Sequence, residues 1–400
     1  MRRATRWGIL AALTAAAVAI AALAGTTGSH AAPAAKKNVV IGWAYDKAGQ
    51  MAPFDNPALA AAGIRVKQIN AKSGKYHFVI KTCDTQNNNA AKAKACALSL
   101  LGQHASIIFT TCDVDFATPV VQEAINHGKL AIAPCIGTDQ MGPRRFGKKG
   151  KLAFSFGNVA QDEGSAMAEY AISRHWKTAG LATNTLLVYF KNVVQAFDIR
   201  FRALGGKIVD RESYQTGSND VGTAVSHLNS HKAAVYVTST AFGELPAFVS
   251  GLRSLHNKTP ILNSWAGDGT YWDTSSPKVT DYYCVTFASV FGDDPDPAVR
   301  AMIASLKAAG AQPGTGGFLG GADAVDGVFT AIKRAHGSLK GSVLAAKLVK
   351  FNHVAVLGSK ISFSTKWHTV FGREYRVIKT QNNSAKRVGL VAAKVLPNIH

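Results

Sequence analysis

The sequence predicts an α/β protein built as two lobes with parallel sheets, and three observations carry that prediction. From Asn38 onward, short apolar runs alternate with longer amphipathic ones. The same pattern restarts at TLLVYF, after one connecting strand and helix. The short runs also lack the strict alternation of a half-solvated strand. Such runs suit strands buried on both faces, and helical crossovers between them imply a parallel sheet covered by helices on each side. With 400 residues, 47% of them hydrophobic, the chain can build two well-packed domains of about 100–200 residues each.

The elements follow in order. NVVIGW, YHFVIK, SIIFT and LAIAP are read as strands, separated by the helical segments PALAAAGIRVKQIN, NAAKAKACALSLL and FATPVVQEAINHG. LAFSF to SRHWKTAG supplies a strand and a helix that cross to the second unit. That unit opens on TLLVYF as a strand and continues through KIVDRE, a helix near Val221 to Ser230, AAVYVTS, a helix near Leu245 to Leu255, and PILNS. A further strand, DYYCVTFAS, precedes the acidic loop GDDPDP. Three helical stretches follow near Ala298–Ala309, Ala322–Ala335 and Ser342–Lys350, and then late strands such as REYRVIKT. In open α/β sheets ligands sit beyond the carboxyl ends of the strands, so two facing lobes make a cleft walled by strand-to-helix loops, and several crossings make a hinge.

The N-terminus bears on the compartment. Arg2, Arg3 and Arg6 precede a small, apolar, Ala-rich run from Gly8 to Gly25, then polar residues and Ala31. This reads as a secretory signal peptide, residues 1–31, cleaved after Ala31; a retained membrane anchor is the alternative. The expected location is extracytoplasmic. Cleavage leaves 42 basic residues against 24 acidic ones. Only 17% of residues are charged, so the surplus reflects scarce acids. With no recognition module and no interleaved aromatic and basic strand, nucleic acid is not an expected partner.

The catalytic templates are missing: no G-x-S-x-G elbow, no H-E-x-x-H, no Walker sequence and no G-x-G-x-x-G after the first strand. The expectation is a binder, not an enzyme, with no cofactor and no metal. GTGGFLGGAD at Gly314–Asp323 reads as a flexible approach to a helix, and GDDPDP as a solvated turn that lacks the spaced acids of a calcium loop. Five cysteines leave at least one thiol unpaired within the chain. Cys83, Cys96, Cys112 and Cys135 fall in the first lobe at spacings that favour disulfides over zinc; Cys284 stands alone in a later strand.

IGWAYD, GIRVKQINAKSGK, TCDTQNNNAAKAKACALSLL and SIIFTTCDVDFATPVVQEAINHGKLAIAPC, followed by ALGGKIV, AAVYVTS, PILNSWAGDG and GADAVDGVFTAIKRAHG, form an ordered series over most of the chain. In that order they resemble the leucine/isoleucine/valine-binding-protein-like solute receptors of ABC importers. The resemblance implies two Rossmann-like lobes joined by a three-strand hinge, the type I periplasmic-binding-protein fold. Lobe 1 is expected over 38–157 and 289–360, and lobe 2 over 158–288 and 361–396. It also implies a monomer that closes on a small polar molecule of amino-acid, amide or carboxylate type and delivers it to membrane permease subunits. A ligand-sensing module of a signalling receptor is the alternative; a secreted α/β hydrolase stands behind both.

Family members can carry a cysteine pair at Cys83 and Cys112, so the resemblance implies that bridge, with a pairing of Cys96 to Cys112 or Cys135 as the rival and Cys284 reduced and buried. It also implies ligand-contacting residues at the strand ends. In the first lobe these are Trp43, Tyr45, Asp113, Phe116 and Thr138; in the second, Thr240, Phe242, Trp265 and Asp268. Asp113 falls near the position of a ligand-binding Ser in the family, and a helix-capping role competes with a cleft role for it. The aromatic members suit a ligand with an apolar or planar part. Its polar end is expected to be cationic if Asp113 or Asp268 faces the cleft, and a carboxylate or amide held by Thr138 and backbone N–H groups otherwise.

Overall fold

A computed structural model describes residues 36–215 and 220–399, and the signal segment expected over 1–31 lies outside them. The first lobe opens with β1 (Lys37–Tyr45), α1 (Ala52–Lys72), β2 (Tyr76–Asp84) and α2 (Ala90–Gly102). It continues with β3 (Ile107–Phe109), α3 (Val114–Asn126), β4 (Leu130–Ala133) and β5 (Ala153–Asn158). The second lobe takes α4 (Ala160–Ser173), β6 (Thr178–Asn184), α5 (Val188–Ala203), β7 (Lys207–Tyr214), α6 (Asp220–Ser230), β8 (Val235–Ser239), α7 (Glu244–Ser254), β9 (Ile261–Asn263) and β10 (Tyr282–Thr286). α8 (Pro297–Ala308), α9 (Phe318–Arg334) and α10 (Gly341–Leu348) return to the first lobe. A hairpin of β11 (Val354–Val356) and β12 (Ser359–Ile361), then β13 (Thr369–Val370), β14 (Tyr375–Gln381) and β15 (Ser384–Val391), complete the chain.

The first sheet runs in the order β13-β5-β4-β3-β1-β2, and every pairing in it is parallel. The second runs β15-β14-β10-β9-β8-β6-β7, parallel from β10 to β7 with β14 and β15 antiparallel at one edge. The chain therefore passes between the sheets three times, after β5, after β10 and after β13. The central strands are buried on both faces: Val39, Ile41 and Trp43 alternate with buried Gly42 and Ala44 in β1. α9 lies against α1, and Gly321 is required there because a Cβ would stand 1.9 Å from the carbonyl oxygen of Ala58. On α9, buried Leu319, Val325 and Val328 each contribute about 1.5–3 kcal/mol of apolar burial.

Three expectations are corrected. TLLVYF is not a strand: the edge-side strand is the small-residue run TAGLATN, and Val188, Tyr189 and Phe190 form the first turn of α5. Gly180 explains the choice, since a Cβ there would meet Leu228 at 2.8 Å, so α6 packs on a strand that the apolar pattern under-reports. The last return to the second lobe comes after Val370, not at 361, because the two-residue β13 pairs with β5; a strand that short has no readable period.

The disulfides are Cys83–Cys96 and Cys112–Cys135, with Cα separations of 5.5 and 4.8 Å, and not Cys83–Cys112. β1 lies between β2 and β3, so Cys83 and Cys112 stand two strand spacings apart, about 10 Å, beyond the roughly 7 Å limit for a bridge. β3 and β4 are neighbours with Phe109 opposite Ile132, and Cys112 and Cys135 each follow three residues later, in register. Cys284 is a buried free thiol, as expected.

Candidate functional site

The carboxyl ends of the two sheets face each other, and loops from both enclose a small cavity lined by Met51, Phe54, Cys112, Asp113, Leu187, Tyr189, Phe190, Ala241, Phe242, Trp265 and Ala266. Phe54 at the start of α1 bridges the lobes. Its ring meets Trp265 edge-on at 5.1 Å, Tyr271 at 5.9 Å and Phe242 at 6.4 Å between centroids. Phe242 reaches this position from a backbone with φ of +56°. Below, Gly137 lets the lobes approach: a Cβ there would stand 2.4 Å from the Tyr189 ring. The remaining space is about 20 Å³, room for about one water molecule, so the cleft is closed.

Polar groups hold these walls. Asp55 accepts from the backbone N–H of Asp46 at 2.8 Å and of Cys112 at 2.9 Å, tying the loop after β1 to the loop after β3. Burial pushes its carboxyl up to about 7. Asp113 caps α3 by accepting from the N–H groups of Asp115 and Phe116 at 2.8 and 3.2 Å, and it also lines the cavity. Burial, and then the neighbouring Asp115, raise its carboxyl to about 7. Glu163 lies behind the aromatic wall. Its Oε2 accepts from the Tyr189 hydroxyl at 2.7 Å, and its Oε1 from the Trp265 backbone N–H at 2.7 Å. Burial raises Glu163 to about 8. Across the closed mouth Asp115 Oδ2 accepts from the N–H of Val188 at 3.2 Å while Oδ1 pairs with Arg145 at 2.6 Å.

The structure brings together three of the residues expected from sequence, Asp113, Phe242 and Trp265, and sets the others apart. Trp43 is fully buried against Phe109 at 5.0 Å, within the first sheet's core. Tyr45 and Phe116 are half-buried outside the lining. Thr138 is engaged by Asn192 at 3.1 Å, and the Thr240 hydroxyl accepts from Asn184 at 2.9 Å. Asp268 is consumed structurally, accepting from Thr286 Oγ1 and the N–H groups of Gly316 and Gly269 at 2.6–2.7 Å. Sequence reasoning missed Phe54, Tyr189, Phe190 and Glu163. The strand reading of TLLVYF hid the first two aromatics of α5, and Asp162-Glu163 in the first turn of α4 reads as an ordinary complement to the helix dipole.

The family model for periplasmic binding proteins matches residues 38–385. The chain belongs to the periplasmic binding protein family. The fold of this binding protein agrees with solved structures at low identity. A leucine-binding protein, LivK, of Thermotoga maritima superposes with a TM-score of 0.75 at 16% identity, over 88% of this chain and 98% of that one. The branched-chain amino acid transporter substrate-binding protein LivJ of Streptococcus pneumoniae, in complex with isoleucine, gives 0.74 at 20%, over 88% and 99%. An ABC-transporter solute-binding protein of R. palustris in complex with benzoate gives 0.74 at 17%, over 90% and 98%. No curated protein matches the chain. Among the described residues of the binding protein no helix is long and apolar enough to cross a membrane.

Proposed function

We propose that this binding protein is the extracytoplasmic solute receptor of an ABC importer and captures a small molecule by closing its two lobes, for delivery to permease subunits. Its relatives in structure are binding proteins of such transporters, which supports a non-enzymatic role. The observation that carries the ligand class is the lining itself. Five aromatic rings surround one carboxyl, Asp113, and the lining contains no Lys, Arg or His. Such a wall removes apolar ligand surface from water at about 25 cal/mol per Å², and the faces of aromatic rings attract cations. A buried carboxyl lifted to about 7 gains most from a cationic or hydrogen-bond-donating neighbour. The ligand is therefore an amine or amide with an apolar or planar body, including amino acids whose ammonium reaches Asp113, in preference to a simple carboxylate.

A thermal-shift screen pairing each amine or amide with the carboxylate of the same skeleton tests this. A ligand at a hundredfold its Kd adds about 2.7 kcal/mol of stability. Stabilisation by amines or amides, lost in Asp113→Asn, is the expected result; stabilisation by the carboxylates alone overturns the ligand class. Turnover of the bound compound overturns the receptor reading.

A further inference from the structure

We propose that the base of the first lobe, the end of its sheet away from the cleft, is a docking surface for anionic lipid headgroups. In a parallel sheet every strand starts at the same end, so segments remote in sequence meet there. Lys37 opens β1 and its backbone N–H donates to the carbonyl of Lys75, just before β2. Its Nζ reaches the carbonyl of Gly337, beyond α9, at 2.7 Å. From there the chain runs through Lys340 to Gly341, which packs against the backbone of Gly128 and Lys129 ahead of β4. Lys149 closes the series by donating to Asn126 at 2.9 Å.

Across the segments 36–38, 72–76, 102–107, 126–130, 147–153 and 333–341 there are eleven lysines and arginines and no carboxylate. None of the eleven is in an ion pair among the described residues. Complementing helix dipoles accounts for only a minority: Lys72, Lys333 and Arg334 sit in last turns, whereas Lys148, Lys149 and Lys151 lie in a short 3-10 segment. This concentration accounts for much of the basic excess of the whole chain.

The chemistry points to a fluid anionic surface. Ten of the eleven are lysines, flexible point charges, and a shaped phosphate partner calls instead for the bidentate fork of arginine. A single-stranded nucleic acid calls for exposed stacking aromatics among the charges, and the six segments hold one aromatic, the half-buried Tyr76.

The test is co-sedimentation of the full protein with vesicles of equal parts phosphatidylglycerol and phosphatidylcholine, against phosphatidylcholine alone. Each lysine near such a surface strengthens binding by about fivefold, so K72Q/K75Q/K148Q/K151Q is expected to lower partitioning by about a hundredfold or more. Raising salt from about 0.1 M to about 0.5 M is expected to release the parent protein. K191Q/K307Q/K360Q/K386Q removes the same charge from exposed sites elsewhere and is expected to retain most binding. Equal binding to both vesicle types, equal loss in the two variants, or binding to soluble poly(glycerol phosphate) with none to vesicles each overturns the proposal. Unchanged thermal unfolding of both variants confirms that they fold.

Discussion

Tyr189 donates its phenolic hydrogen to Glu163 across 2.7 Å, joining the first turn of α5 to the first turn of α4 directly behind the cavity. The other oxygen of Glu163 holds the backbone of Trp265, so one carboxyl fixes two of the aromatic walls. A group this deeply placed makes the wall sensitive to pH.

Glu163 titrates near 8 in the folded protein against 4.5 for the free side chain, because burial disfavours its charge. Between those values the folded state keeps a proton that the unfolded chain has released. Its contribution to stability is full below about pH 4.5, falls as pH rises, and is lost above about pH 8, by at most about 1.4 kcal/mol per pH unit. Glu163→Gln is expected to flatten this slope. Urea denaturation at several values between pH 5 and pH 8 measures it; parallel slopes in the two proteins would show that Glu163 is not the titrating group.

Non-reducing peptide mapping is expected to recover Cys83 with Cys96 and Cys112 with Cys135, leaving Cys284 as the free thiol. On the chain-entropy view each bridge, closing 13 and 23 residues, contributes about 3 kcal/mol. Replacing either pair by serine is expected to lower stability by that amount, and a Cys83–Cys112 peptide would refute the pairing.

Phe54→Ala removes the ring that meets Trp265, Tyr271 and Phe242 across the mouth. The unliganded protein is expected to open, with a larger radius of gyration by small-angle scattering. Affinity for a screened ligand is expected to fall about tenfold or more. An unchanged radius and affinity would place the closing contact elsewhere.

At the third crossing Arg373 pairs with Asp323 at 2.9 Å, both side chains fully buried, with the guanidinium over the Phe287 ring. Breaking a buried pair by removing one partner costs about 3–5 kcal/mol. Burial already lifts Asp323 to about 7, and without Arg373 it rises further, so the remaining carboxyl holds a proton at neutral pH and loses it only in mild alkali. Arg373→Met is expected to cost most near pH 8 and less near pH 6, read by denaturant unfolding. A pH-independent loss would mean that Asp323 finds another counter-charge.

Most strands and helices were legible because burial on two faces writes itself as unbroken apolar runs, as in NVVIGW and LAIAP. TLLVYF misled for the same reason in reverse. Its aromatics are apolar because they wall the cavity from a helix start, while the true strand beside it is small because α6 packs closely on Gly180. Only the family resemblance places Asp113 near the cleft, with the helix cap as the competing reading, and the structure puts it in the lining as well as at the cap. Trp43, equally conspicuous, faces the sheet's own core, since adjacent positions of a strand buried on both sides carry no mark of which face a ligand shares.

By itself the sequence determined the α/β class, the two-lobe repetition, the lack of catalytic templates and the isolation of Cys284, because local periodicity and residue spacing encode these directly. The tertiary structure alone decided the disulfide partners, the Glu163–Tyr189–Trp265 support and the gathering of lysines at one end of the first lobe. Each of these depends on strand order and on which chain ends a parallel sheet brings together, and those are relations between segments that no local pattern records.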